Sequence, residues 1–199
     1  MSNAKAERKE RSRERILTSA GTLMREKGIS GASVAEVMEG AGMTVGGFYA
    51  HFASKRSLMA EALRDAFRRS RALLAASAGE RKGSEWVNAV ARSYLSRQHR
   101  DNPHLGCPLP ATLGEVARED AELREALAEE IGESVEEMAS RLREAGADNP
   151  RDEALAVLST MVGGLTLARA LKGNALSDQV LLACRRHIER CLYGMRQAR

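Results

Sequence analysis

The chain has 199 residues, a formal net charge of +4 and 43% hydrophobic residues, enough apolar material for a packed core in one or two domains. No run of about 18 uncharged apolar residues is evident, so no membrane partner is expected, and a charged N-terminus without an apolar stretch argues against secretion. The three cysteines, Cys107, Cys184 and Cys191, form no CxxC pair; they fit a reducing, cytoplasmic setting and imply no disulfide framework, metal site or cofactor.

Charge is unevenly placed. Residues 1–73 hold 14 Lys/Arg against 8 Asp/Glu, whereas residues 74–199 hold 17 against 19. A basic end of this kind points to nucleic acid or another anionic surface.

In chain order, Ser2-Asn3-Ala4 reads as a cloning remnant, and residues 1–7 are expected to be flexible. A first helix is expected over roughly Arg8–Lys27, with Ile16, Leu17, Ala20, Leu23 and Met24 in one apolar stripe and Gly28 ending it. Ser33-Val34-Ala35-Glu36 is a capping box that opens a short second helix with Val34, Val37, Met38 and Ala41 inward. Gly40-Ala41-Gly42 stops that helix, and Thr44 opens a third over Thr44–Phe52, TVGGFYAHF. Ser54 caps a fourth, running to about Ala76 with Leu58, Ala62, Leu63 and Phe67 inward. Two short helices joined by a glycine turn after a longer one make a helix-turn-helix. The expected organisation is this unit over 8–53, a connecting helix over 54–78, and a second domain over 79–199 entered through the Gly79–Gly83 loop.

The second region continues in helices. One is expected over Ser84–Arg100, with Trp86, Val87, Val90, Tyr94 and Leu95 on one side. Pro103, Pro108 and Pro110 make the next segment irregular, and a helix resumes near Ala111. Further helices are expected over Ala121–Ala145, from Pro150 through the apolar block Leu155–Leu171, and from Leu176 onward. Period-two apolar runs are absent, so the fold class is all-α.

The second helix of a helix-turn-helix enters the DNA major groove. Gly46 and Gly47 would let its backbone come close to the duplex, and free N–H groups near its start are phosphate donors. Tyr49 and Lys55 are placed to hold two phosphates, while Phe48 and Phe52, four apart, anchor the helix inward. With Thr44, Gly46, Tyr49, His51, Phe52, Lys55 and Leu58 at their spacing, and Ala41-Gly42-Met43 before them, residues 8–67 resemble the DNA-binding domain of the TetR family of bacterial transcriptional repressors. The resemblance implies an N-terminal three-helix DNA-binding domain followed by a helical ligand-binding and dimerisation domain. It also implies phosphate contacts by Ser33, Thr44, Tyr49, His51 and Lys55, and base-facing positions at Val45, Gly47 and Ala50. None of those three side chains can make a bidentate hydrogen bond to guanine or adenine. Specificity is therefore expected from thymine-methyl contact by Val45 and Ala50, from backbone contacts and from DNA shape. Arg11, Arg13 and Arg15 are expected to add minor-groove or phosphate contacts.

One short helix reads only a few base pairs, so a homodimer on a palindromic double-stranded site is expected. Its surface is assigned to the last two helices: Thr160, Gly163, Gly164, Leu167, Ala168 and Leu171, with Val180, Cys184 and Ile188. The rival use of these residues is packing within the chain. The middle helices are expected to enclose a pocket for a small-molecule effector, aliphatic and methionine-lined because Trp86, Tyr94 and Tyr193 are the only aromatics beyond residue 73; the effector itself is unknown. Cys107, between Gly106 and Pro108 near a helix start, is a candidate redox or electrophile sensor, since a helix N-terminus or a cation such as Lys172 lowers a thiol pKa. A Gly-Cys here resembles a subset of TetR-family regulators that sense oxidants or electrophiles through a thiol; an inert packed cysteine is the alternative. An enzyme with Cys107 as nucleophile and His104 or His99 as base lacks an orienting acid and oxyanion donors at recognisable spacing. A helical module binding acidic proteins is the other rival.

Overall fold

A computed structural model of the chain describes residues 2–118 and 121–197, and among the described residues there is no strand. The helices are α1 (Ser2–Gly31), α2 (Val34–Gly40), α3 (Lys55–Ala78), α4 (Gly83–Tyr94), α5 (Arg97–Asp101), α6 (Leu109–Val116), α7 (Ala121–Glu144), α8 (Pro150–Ala170) and α9 (Ala175–Gln197). Single 3-10 segments lie at Val45–Ala50 and Pro103–Leu105. The residues fall into two compact units, one of 1–69 with 104–129 and one of 70–103 with 130–199; α3 and α7 contribute to both.

The first unit is built on α1, which packs against α2 and α6. Its core joins Ile16, Ala20 and Met24 of α1 to Val37 and Met38 of α2, Phe48 and Phe52, Leu58 and Leu63 of α3, and Leu109 and Val116 of α6, all buried. Helix α1 starts at Ser2, six residues before the expected Arg8. The added residues, SNAKAE, are mostly alanine, lysine and glutamate, which are strong helix formers. At its other end α1 breaks at Gly28, where φ is +78°, and a short further turn runs to Gly31. A Cβ at Gly28 would collide with the carboxylate of Glu115. That carboxylate accepts from the backbone N–H of Ile29 at 3.0 Å and of Ser30 at 2.7 Å, the amides released by the break. Burial pushes the Glu115 carboxyl up, but the bonds from Ser30 and Ile29 outweigh it and bring it below the usual carboxylate range.

Buried Arg25 ties the same helix to its surroundings through backbone carbonyls. Its guanidinium donates to Gly21 at 3.1 Å, Ala66 at 3.3 Å and His104 at 3.3 Å. Burial lowers its pKa from the ordinary arginine value.

In the second unit α8 and α9 pack on each other and on α4, around Trp86, Val87, Val90, Tyr94, Leu95, Met161, Leu165, Leu181 and Ile188. The Arg141 guanidinium lies 5.3 Å from the centre of the Trp86 ring, a cation–π contact. The helix expected over Ser84–Arg100 is broken: α4 ends at Tyr94, and α5 starts afresh with the Ser96 hydroxyl accepting from His99 N–H at 3.1 Å. Helix α8 is long and apolar enough, by length and composition, to cross a membrane. Its Ala154, Val157, Met161, Val162 and Leu165 are buried within the unit.

Candidate nucleic-acid interface

The local chemistry around α2 and the 3-10 helix decides what this surface presents. The Ser33 hydroxyl oxygen accepts from Glu36 N–H at 3.2 Å, and the Glu36 carboxylate accepts from Ser33 N–H at 3.1 Å and Ser33 Oγ–H at 2.6 Å, completing the expected capping box. Lys27 donates to the same carboxylate at 2.7 Å. That bond first, and those from Ser33 next, hold the Glu36 carboxyl down to about 2. Ser33 itself is exposed, so a phosphate can still reach its hydroxyl. Gly42 adopts φ +65° in the turn, a left-handed conformation that L side chains resist.

The segment after the turn is a 3-10 helix over Val45–Ala50 rather than the expected α-helix. Gly47 N–H bonds back to Thr44 at 3.0 Å and His51 N–H to Phe48 at 2.9 Å, the tight i→i+3 pattern. Two adjacent glycines weaken the α-helical alternative by about 1 kcal/mol each. Phe48 and Phe52 are buried, their ring centres 6.0 Å apart and nearly parallel, so they anchor the segment as expected. Thr44 is exposed and its hydroxyl makes no cap hydrogen bond. Val45 is 50% exposed and Tyr49 78% exposed, with Gly46 and Ala50 also open to solvent.

The two glycines differ. Nothing lies within 4 Å of where a Cβ at Gly46 would be, whereas one at Gly47 would point at the Met38 and Met43 methyls, 3.8 and 3.9 Å away. Gly47, expected to face bases, is therefore turned toward its own unit. Tertiary packing onto the methionines sets that direction, and Gly46 is left as the bare outward position.

His51 is half-buried, with Nδ1 shielded from solvent and without a hydrogen-bond partner. Burial, then the charges of Lys9 and Arg13, lower its pKa, with Glu10 opposing. Lys55 donates to the Ser30 carbonyl at 3.3 Å, so it braces the end of α1 as well as standing near the surface. Arg13, expected at DNA, pairs with Glu61 and stacks 4.9 Å over the Phe52 ring; these contacts occupy it within the unit. Arg11 and Arg15 are exposed.

None of the three cysteines is in a disulfide. Cys107 is buried and adjoins Pro108, the cap residue of α6, near the buried Arg25 guanidinium. Lys172 is instead paired with Asp101 at 3.5 Å.

Of the residues assigned to a dimer surface, Gly164, Ala168 and Ile188 are already buried by their own chain. A Cβ at Gly164 would lie 2.7 Å from Cys184 Sγ and 3.1 Å from Leu95 Cδ2, so this glycine brings α8, α9 and the end of α4 together. The same small-residue spacing serves intramolecular and intermolecular packing, and here it serves the former. Gly163 and Leu167 are exposed, and Thr160, Leu171, Val180 and Cys184 are half-buried.

Sequence reasoning passed over Lys5, Arg8, Lys9 and Ser12, which line a groove with Ala50 and His51; their spacing along α1 was the available signal. Glu115 carried no local signal, because its partners stand more than 80 residues away.

The family model for the N-terminal domain of bacterial regulatory proteins of the tetR family matches residues 16–62, and the model for the C-terminal domain of LmrA/YxaF-like transcriptional regulators matches residues 83–186. The uncharacterized HTH-type transcriptional regulator Rv0196 of Mycobacterium tuberculosis H37Rv is 29% identical over 178 residues, covering 84% of this chain and 89% of the relative. A TetR-family regulator structure from Cytophaga hutchinsonii superposes with a TM-score of 0.79 at 21% identity, covering 92% of this chain and 95% of that one. Escherichia coli NemR in its reduced form gives 0.78 at 18%, covering 90% and 95%. A TetR regulator from Chloroflexus aurantiacus J-10-FL gives 0.74 at 26%, covering 92% and 94%. With one model on the DNA-reading segment and another on more than half the chain, the protein belongs to the TetR family of transcriptional regulators, helix-turn-helix DNA-binding proteins and not enzymes.

Proposed function

We propose that the chain is a cytoplasmic, homodimeric transcriptional repressor that binds a palindromic operator and is released from it by a small-molecule effector or by modification of Cys107. The observation that carries this reading is the 3-10 helix at Val45–Ala50, which is held by the buried Phe48 ring and the inward-turned Gly47 and presents Val45, Gly46, Tyr49 and Ala50 to solvent. Its bare Gly46 and exposed Val45 and Ala50 suit close approach and thymine-methyl contact. Ser33, Thr44, Tyr49, His51 and Lys55 are the proposed phosphate contacts.

Dimerisation is supported by the apolar side chains that α8 and α9 leave uncovered. Leu155, Leu167, Leu176, Leu182 and Tyr193 are all exposed on these two helices, apolar surface that a second copy could cover. With Gly164, Ala168 and Ile188 covered, the proposed contact keeps Thr160, Gly163, Leu167, Leu171, Val180 and Cys184. The thiol arm is supported by the place of Cys107 beside the start of α6 and near the Arg25 guanidinium, surroundings of the kind in which reactive thiols are found.

Sedimentation velocity at micromolar concentration is expected to give a dimer, and a monomer would remove the palindrome with it. Selection from a random DNA pool is expected to return inverted half-sites about one helical turn, or a multiple, apart. Hydrogen peroxide is expected to release the wild-type protein from that DNA and to leave Cys107→Ser bound; release of both would end the thiol arm alone.

A further inference from the structure

We propose that the basic face of the first turns of α1 is a second DNA contact, holding the sugar-phosphate backbone beside the base pairs reached by the 3-10 helix. Lys5, Arg8, Lys9 and Ser12 stand at i, i+3, i+4 and i+7, one helical face. With Ala50 and His51 they line an open groove of about 620 Å³. Among the described residues none of the three cations is in an ion pair, and all are exposed. None of the described residues lining the groove is acidic.

Two further observations indicate what fits there. Burial is the main cause of the lowered His51 pKa, and the charges of Lys9 and Arg13 add to it against that of Glu10, which sets two cations close to this side of the ring. The groove is also continuous with the reading surface: Ala50 ends the 3-10 helix and follows the exposed Tyr49. A polyanion arriving at Tyr49 therefore runs on toward Lys9. The dimension suits a DNA strand. Seven residues of helix rise about 10 Å, the axial length of about three phosphates at 3.4 Å each. This face precedes residue 16, where the family model begins, so it extends the interface beyond the helix-turn-helix. The inference rests on the proposed function, because the flanking strand is in place only if the 3-10 helix is at the duplex.

The test uses the full chain, with a duplex recovered by selection from a random pool, made both with and without about six extra base pairs at each end. Each phosphate neutralised contributes about 0.9 to the slope of log affinity against log salt. The triple variant Lys5→Gln/Arg8→Gln/Lys9→Gln is expected to lower that slope by about 2.7 for each groove engaged on the longer duplex. Trimming the ends should cost the wild type the same amount and the variant nothing more. Circular dichroism is expected to be unchanged, because the three side chains are exposed. Equal slopes for variant and wild type overturn the proposal, as does an equal loss on both duplexes. So does a variant that keeps its DNA binding but loses binding to phosphatidylserine vesicles. A wild type with no preference for the selected duplex over random DNA is a different failure, that of the parent reading.

Discussion

The chain contains two adjacent glycine pairs, Gly46-Gly47 in the first unit and Gly163-Gly164 in the second, and their surroundings are opposite. In each pair one glycine looks into open space and the other faces its own unit. At Gly47 the facing atoms are methionine methyls at ordinary contact distance, whereas at Gly164 Cys184 Sγ and Leu95 Cδ2 leave no room for a Cβ. The missing side chain is a packing requirement in the second unit. In the first, room exists for it, and its absence at Gly46 is an outward feature that the fold does not demand.

The largest expected effect tests the packed side. Gly164→Val should destabilise the protein by about 1–3 kcal/mol through overpacking, lowering the melting temperature by roughly 2–4 °C for each kcal/mol; an unchanged transition would mean that α8 and α9 are not in this contact. The converse substitution, Gly46→Leu, should leave the unfolding free energy within about 1 kcal/mol of wild type and yet weaken DNA binding tenfold or more, read by fluorescence anisotropy. Should both properties stay constant, Gly46 does not lie against DNA.

Smaller effects refine the picture. Tyr49→Phe removes one hydroxyl from an exposed ring and should weaken binding by about 0.5–1.5 kcal/mol, as for a typical net hydrogen bond, equally on all sequences; a changed base preference in a repeated selection would place Tyr49 at a base edge. Least of all is the contribution of His51. Its folded pKa is below the unfolded value of 6.5, so the unfolded state binds the proton more readily. The stability due to the neutral ring is fully present above pH 6.5 and declines as pH falls through the window beneath it. His51→Asn should flatten that part of the stability-versus-pH curve in urea titrations, and an unaltered curve would locate the titration elsewhere.

Features set by neighbours in the chain were legible in the sequence. Ser33 and Ser54 cap α2 and α3 with local partners, Gly42 takes the left-handed turn, and Phe48 and Phe52 point inward because they are four apart. The break after Tyr94 was also written locally, in Ser96 before His99, but unbroken apolar periodicity from Trp86 to Leu95 masks it. Features set by distant partners could not be read. The turning of Gly47 depends on where two methionine methyls lie, and the covering of Gly164, Ala168 and Ile188 depends on which helix packs there. The groove on α1 lay between these cases, since its basic spacing was visible but the approach of His51 was not.

The carboxylate of Glu115 completes the end of α1 from 86 residues downstream of Ile29. A fragment cut after Ala78 would carry the whole of the tetR-family match over residues 16–62 but leave those two amides open, together with the side of α1 now covered by Leu109 and Val116. The DNA-reading half is thus not a transplantable module. A chimera with a relative must bring residues 104–129 along with the first 69, or the grafted reading head will sit on a frayed stem.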